Sequence, residues 1–425
     1  MKKLFSFLLG LWVATSLTAQ DFELACGNLD YRESVRTVLL YADGNQNKEP
    51  LIPLSSPEGR LTLSFDLLGS EGTVLNYTFI HCTNDWYPSD IQRNNFVNGF
   101  DYGRIDDFDF SRNTLVDYVH YQLTFPDREM MPVASGNYLL IVYDDDLSED
   151  HVYFTRRFMV YDEKASISAS VPRYCDEISL SDTHQQLDIR VTMPSIMTGN
   201  VQQYANMTIR QNGRWDNAAI GVKPTFVYPD YISYEHNPLT VFDAANQYRR
   251  LNFSNFYFQS ENIARIYQTD DYYVVDYATC ESRAHKPYIT YEDIHGEKYV
   301  YIANEGHETG TEADYAWVNI FLRWPSPLTH EDVYVMGAMN DWRFDERNLM
   351  RYDYNLHGYL CQLLLKQGYY NFLFATADRE SNVVSTELTE GSHWDTDNLY
   401  RIYLYYYNAN KGYDELIGYT TLNSH

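Results

Sequence analysis

The amino-acid sequence predicts an all-β protein built from tandem β-sandwich domains. Three observations carry this expectation. Apolar and polar residues alternate with a period of two along the whole chain, the spacing that places one strand face on a core. Turn dipeptides interrupt the alternating runs at short intervals. Forty tyrosines and 21 phenylalanines among 425 residues suit pleated, half-buried surfaces. Many short strands with regular turns fit antiparallel sandwiches.

In chain order the predicted strands are "RLTLSFDLL", "NYTFIHC", "NYLLIVYDD", "QLDIRVTM", "NMTIRQNG", "YVVDYAT", "WVNIFLRW", "VYVMGAM", "YNFLFAT" and "RIYLYYYN". Asp43 with Gly44, Ser135 with Gly136, Asn212 with Gly213, His295 with Gly296 and His357 with Gly358 mark turns. Weak helical patterns occur only at 89–98 and 261–267. The opening "MKKLFSFLLGLWVATSLTAQ" has a charged start, a short apolar stretch and a small residue near its end, the pattern of a secretory signal peptide over 1–19. Asp21 and Glu23 interrupt the apolar lead-in that a lipoprotein signal at Cys26 needs. A small, polar run, "ASISASVPRY", and a glycine- and charge-rich stretch at 303–317 suggest two boundaries. The expected domains are 20–164, 165–305 and 306–425, each about the size of one sandwich.

The net charge of −27 disfavours nucleic acid and anionic lipid as partners. With 44% hydrophobic residues the chain is not disordered. Cys26, Cys82, Cys175, Cys280 and Cys361 are widely spaced, with no C-x-x-C, so zinc is not expected. Their pairing stays open. Cys175 and Cys280 fall in one expected domain, and buried thiols inside strands fit equally well.

One short stretch, "HCTNDW" at 81–86, gathers catalytic residue types, and "MNDW" at 339–342 repeats its last three letters. Neighbours on a strand point to opposite faces, so His81 and Cys82 cannot form a nucleophile–base pair. The shared element is a turn with Asn and Asp bonding to nearby amides and a tryptophan folding back over a core. Gly-x-Tyr opens a later strand in both regions, at 136–138 and 368–370. The acidic loop "YDDDLSEDH" lacks the interleaved spacing of a calcium loop and reads as a solvated hairpin tip. There is no nucleophile elbow, zinc-protease motif, phosphate loop or dinucleotide fingerprint, so no catalytic, metal or cofactor residues are assigned.

The stretch "VYVMGAMNDWRFD…GYLCQLLLKQGYYNFLF" resembles the early-set, immunoglobulin-like module of glycogen-binding and starch-enzyme accessory domains. That resemblance implies immunoglobulin-like/early-set sandwiches, with Trp342 at the position of a sugar-stacking aromatic and Met339 replacing its usual aromatic neighbour. A glycan-binding or glycan-processing envelope protein is the alternative it raises.

A closer resemblance runs through the mature chain. "LSFDLL", "YTFIHCTNDWYPSDIQRNNFVNGF", "SRNTLVDYVHYQLTFP", "SGNYLLIVY", "RRFMVYDE", "RQNGRWDNA", "KPTF", "NQYRRLNF", "LLLKQGYYNFLF" and "DELIGYTTLNS" together resemble the type IX secretion system plug proteins of Bacteroidetes. The resemblance implies a non-enzymatic periplasmic protein without cofactors. It would associate with the giant outer-membrane β-barrel translocon and cap its periplasmic opening when cargo is absent. Aromatic and arginine side chains suit a reversible interface, which makes Trp86, Tyr87, Arg214 and Trp215 the candidate contacts.

Overall fold

A computed structural model describes residues 24–56, 59–194, 200–304 and 306–425. The expected signal peptide lies outside the described residues. The described chain is β throughout, with helices of four residues only, at Val201–Tyr204, Thr309–Glu312 and Glu387–Glu390. The two expected helical patterns are not helices. Residues 93–95 form a single 3₁₀ turn, and Ile263–Gln268 is a strand paired with Tyr273–Tyr277. A short apolar run has no period of its own, and the sheet next to it decides.

The first unit is a sandwich. One sheet holds Val35–Ala42, Leu61–Leu68, Tyr118–Phe125 and Phe108–Phe110. The other holds Leu29–Asp30, Val152–Tyr161, Gly136–Tyr143, Leu75–Cys82 and Gly103–Ile105, with Leu51–Pro53 parallel to Val152–Tyr161. Aromatic rings fill the space between them: Phe65 stacks on Tyr121 at 4.8 Å, and Phe79, Phe125 and Phe158 pack edge to face or tilted. The strand Gly136–Tyr143 is buried at all eight positions. It reads as an unbroken apolar run because its second face is covered too. There Leu139, Ile141 and Met159 meet Tyr403, Tyr405 and Leu416 from the end of the chain.

The next two units do not follow the expected break near 305. Ala205–Gln211 pairs with Leu399–Asn408, which pairs with Tyr413–Asn423. These strands face the sheet of Ser166–Ser170, Asp188–Thr192, Ile232–Ser233 and Phe226–Val227 across a core of Ile189, Val191, Met207, Ile209, Ile402 and Leu404. The last two strands therefore complete the middle sandwich. The polar run read as a linker supplies its edge strand, Ser166–Ser170, paired with Asp188–Thr192. The remaining unit runs through one ten-stranded sheet, from Arg249–Asn252 beside Gly368–Asp378 round to Ile263–Gln268. Residues from both ends of that sheet, Leu251 and Val275 among them, share one core with Ile320, Val335 and Phe374. Glycines and charges marked loops, and loops need not be domain boundaries.

The two Gly-x-Tyr elements are alike in detail. Tyr138 donates its hydroxyl to the Ala134 carbonyl at 2.7 Å, and Tyr370 donates to the Lys366 carbonyl, each four residues back. Such a corner satisfies a buried phenol while fixing the chain's entry into the strand. Gly136 has φ +139, and a Cβ there would stand 2.5 Å from Nε2 of His81, so only glycine fits.

Candidate functional site

Both Asn-Asp-Trp turns put their tryptophan in left-handed backbone, with φ +67 at Trp86 and +59 at Trp342. In the first, the Trp86 N–H donates to the Thr83 carbonyl at 3.0 Å and the Thr83 N–H to the Tyr87 carbonyl at 2.7 Å. Asn84 does not form the expected local turn bond. Its backbone N–H and Nδ2 both donate to Asp414 at the start of the last strand, Tyr413–Asn423, at 3.1 and 3.0 Å. In the second turn Asn340 acts locally, accepting from the Gly337 N–H at 3.2 Å and donating to the Val335 carbonyl at 2.8 Å. His81 and Cys82 lie on opposite faces, as strand geometry requires. His81 packs against Phe96, Tyr138 and Tyr413, while Cys82 faces the cluster of Trp86.

Trp86 is 5% exposed. Its ring meets Trp215 edge to face at 5.3 Å, and the Arg157 guanidinium lies 4.4 Å from one ring and 4.7 Å from the other. Arg210 covers Trp215 at 3.9 Å. Two tryptophans from different units thus share one cation. Partly desolvated contacts of this kind contribute on the order of 1–2 kcal/mol each. Behind them Glu49 accepts from Arg210 at 2.5 Å, Arg401 at 2.9 Å and the Tyr403 hydroxyl at 3.0 Å. Burial alone would push Glu49 up, but the charges of Arg210 and Arg401 overcome it and hold the carboxyl below its usual range. Arg157 is pushed down to about 10 by burial and by the nearby charge of Arg210.

A second joint ties the first unit to the third. Asp66 and Lys366, both almost fully buried, stand 2.6 Å apart. Asp66 also accepts from the Tyr315 hydroxyl at 2.6 Å and meets Nδ1 of His120 at 2.6 Å. The Lys366 ammonium lies 4.0 Å from the Tyr118 ring. Burial works against the carboxylate, and Lys366 together with His120 reverses that, so Asp66 is held ionised. Removing one partner of such a pair costs about 3–5 kcal/mol, because the other charge is stranded. Within the third unit, Glu390 is gripped by Arg249 at 3.0 Å and Arg283 at 2.6 Å.

Where three units meet there is a cavity of about 120 Å³. Arg156, Arg157, Arg210 and Arg401 line it together with Trp215 and Trp342. Arg156 bonds Asp30 at 2.7 Å and Asp341 of the second turn at 3.3 Å. Arg156 is matched by Asp30 and Asp341, Arg210 by Glu49, and Arg401 by Glu49 and Glu297, while Arg157 donates to the Cys26 carbonyl. This is a structural hub; no nucleophile and base face each other across it.

Of the sequence-predicted residues, Trp86 and Trp215 come together. Arg214 lies nearby but turns to Asp216, at 2.6 Å, and is 6% exposed. Tyr87 points outward and is 67% exposed. Trp342 is 6% exposed, its ring against Tyr248 and Gly296, with no open face for a sugar. Cys175 and Cys280 do not meet: each sulfur donates to a backbone carbonyl, of His184 and Ala278 respectively. Sequence reading missed Glu49, Asp66, Arg157, Arg210, Lys366 and Arg401. The available signal was a charge inside an apolar run, as in "SFDLL", "MTIRQ" and "LLLKQG", which on a buried strand demands a partner.

The fold and site define a multi-sandwich protein whose buried ion pairs and cation–aromatic contacts join its own parts. A family model described as "Type 9 secretion system plug protein 1st domain" matches residues 35–162. A crystal structure of a hypothetical protein from Parabacteroides merdae is similar over 94% of this chain and 100% of its own, with 30% identity and a TM-score of 0.89. The chain belongs to the type 9 secretion system plug protein family. Likeness to BcpA, the major pilin subunit of Bacillus cereus, is slight: 8% identity and TM-score 0.14, over 50% of this chain and 60% of that one. No curated protein matches the chain.

Proposed function

We propose that this protein is a non-enzymatic periplasmic plug that binds and caps the periplasmic opening of the giant outer-membrane β-barrel translocon of type IX secretion. The observation that carries the reading is the plug-domain match over 35–162, the same unit that the buried joints lock to the other two. A wide pore needs a stiff body to close it, and sandwiches cross-linked by buried ion pairs resist bending better than units on free linkers. The glycan-binding alternative rests on the resemblance of the third module and on the abundant tyrosine, and the module's sugar-stacking position, Trp342, is buried.

The test is affinity purification of the tagged protein from its native envelope, followed by a pore-leakage assay on cells lacking it. A very large β-barrel should co-purify, and loss of the protein should let small solutes through the outer membrane. Recovery of no barrel, together with retention on a glycan array, would remove the plug reading.

A further inference from the structure

The sulfurs of Cys26 and Cys82 lie 3.7 Å apart. Cys26 belongs to the first described segment of the chain, and Cys82 ends the strand Leu75–Cys82, two residues before the first Asn-Asp-Trp turn. Both belong to the cluster that holds Trp86 and Trp215. The Cys26 carbonyl accepts two bonds from the Arg157 guanidinium, from Nε at 2.8 Å and from an Nη at 2.6 Å. The same guanidinium stacks on Trp86 and Trp215. Gly27 is held as well, its carbonyl accepting from the Thr155 hydroxyl at 2.7 Å.

We propose that Cys26 and Cys82 are the substrate of a thiol–disulfide oxidoreductase and form a disulfide that staples the first segment of the chain across the tryptophan–arginine joint. A disulfide needs its sulfurs about 2.05 Å apart, a closing movement of under 2 Å from the 3.7 Å observed. None of the other three cysteines shares this arrangement: Cys175, Cys280 and Cys361 each donate to a backbone carbonyl, of His184, Ala278 and Arg347.

The reaction balances as an exchange. The half-buried Cys26, as thiolate, attacks a sulfur of the donor's disulfide, and one donor thiolate leaves. Cys82 then attacks the Cys26 sulfur of the mixed disulfide, and the second donor thiolate leaves. The two thiols of this chain lose two electrons and two protons, and the donor becomes a dithiol. In the dithiol the hydrogen bond to Cys26 and burial push the Cys82 thiol well up against the pull of Arg157, so Cys26 reacts first. Once Cys26 is in the mixed disulfide that hydrogen bond is gone, and the Arg157 cation favours the Cys82 thiolate. The product fixes the Cys26 carbonyl under Arg157, and through it the stacking of Arg157 between two units.

This rests on the exported location in the proposed function, since such bridges persist in an oxidising compartment. The test is peptide mapping of the full-length protein from its native envelope, unreduced, with thiols alkylated during lysis. One cross-linked species should join the Cys26 and Cys82 peptides, short of two hydrogens, with the other three cysteines alkylated. Reduction should lower the melting temperature by about 5–10 °C and leave that of a Cys26→Ser variant unmoved. Alkylation of both thiols in periplasmic protein, a different pairing, or a lipid on Cys26 would overturn the proposal without touching the plug reading. Fractionation with the cytoplasm would overturn the plug reading. Oxidised glutathione added to the purified chain then decides the pair alone: a Cys26–Cys82 bridge supports it, and its absence rejects it.

Discussion

The two tryptophan corners share a local sequence, a left-handed tryptophan and nearly equal burial, yet they do different work. The first reaches outward from its own sandwich: Asn84 clamps Asp414, and Trp86 meets Trp215 and Arg157. The second stays largely within one unit: Asn340 caps its own turn, and Trp342 closes over Tyr248 and Gly296. A turn motif fixes the direction in which a tryptophan leaves the backbone. What it seals depends on which sheet arrives opposite, and the neighbouring arginines Arg156 and Arg157 serve one corner each, through Asp341 and Trp86.

The largest effect expected is from removing either ring. Trp86→Ala and Trp342→Ala should each cost about 3–5 kcal/mol in denaturant unfolding, the range for emptying a buried tryptophan site. The comparison predicts a difference in kind. Trp86→Ala should loosen the contact between the first and middle units, seen as faster amide exchange at 205–211. Trp342→Ala should destabilise the third unit around 248 and 296. If Trp86→Ala costs under about 1 kcal/mol, the first corner is not a joint.

The strands entering the corners differ three residues before the asparagine, where the first has His81 and the second Gly337. His81 is pushed down to about 4 by burial, its Nδ1 bonded to the Ser89 hydroxyl at 2.8 Å. The folded state therefore resists protonation that the unfolded chain accepts near pH 6.5. Stability contributed by neutral His81 is fully present above about 6.5 and is lost as pH falls towards 4, on the order of 3 kcal/mol in total. Unfolding free energies of the wild type and His81→Gln, compared at pH 7 and pH 4.5, should converge at the lower pH. Equal slopes would show that His81 does not titrate against burial. Taking the difference between the two proteins cancels His393, which burial shifts in the same direction.

A smaller and more selective break is available at the second corner. Gly296 has φ +80, and a Cβ there would stand 2.1 Å from the Trp342 ring. Gly296→Ala should cost about 2–3 kcal/mol through strain and overpacking. The shift in thermal unfolding should shrink when it is combined with Trp342→Ala, which removes the nearest clash and leaves the left-handed backbone strain and the approach to Tyr248 at 2.6 Å.

The β class and both corners were legible because they are local: alternation, turn residues and a repeated tripeptide leave marks within ten residues. The pairing of 205–211 with 399–408 was not, since nothing in either strand names a partner almost two hundred residues away. The joints were half legible. Charges within "SFDLL" and "LLLKQG" signalled that Asp66 and Lys366 had to be paired, but only the fold brings them within 2.6 Å of each other. Trp86 was recognised as either core or contact, and composition alone cannot separate those roles.

The smallest effect on stability, and the sharpest on function, is expected at Tyr87. It follows Trp86 in the turn but faces solvent, 67% exposed, while its backbone holds the turn through Thr83, the carbonyl accepting from the Thr83 N–H at 2.7 Å and the N–H donating to the Thr83 hydroxyl at 3.0 Å. The second corner has Arg343 at that place, engaged with Asp345 at 3.2 Å. An exposed tyrosine on a turn anchored from beneath has only two side-chain torsions to freeze on binding and offers a broad amphipathic face, the character of an interface anchor. Tyr87→Ala should change unfolding free energy by less than about 0.5 kcal/mol. If the translocon meets this corner, the same variant should bind the purified barrel roughly tenfold or more weakly in surface-based titration. Unchanged binding would move the contact face away from the first corner, whose inward half would still be accounted for by the joint it seals.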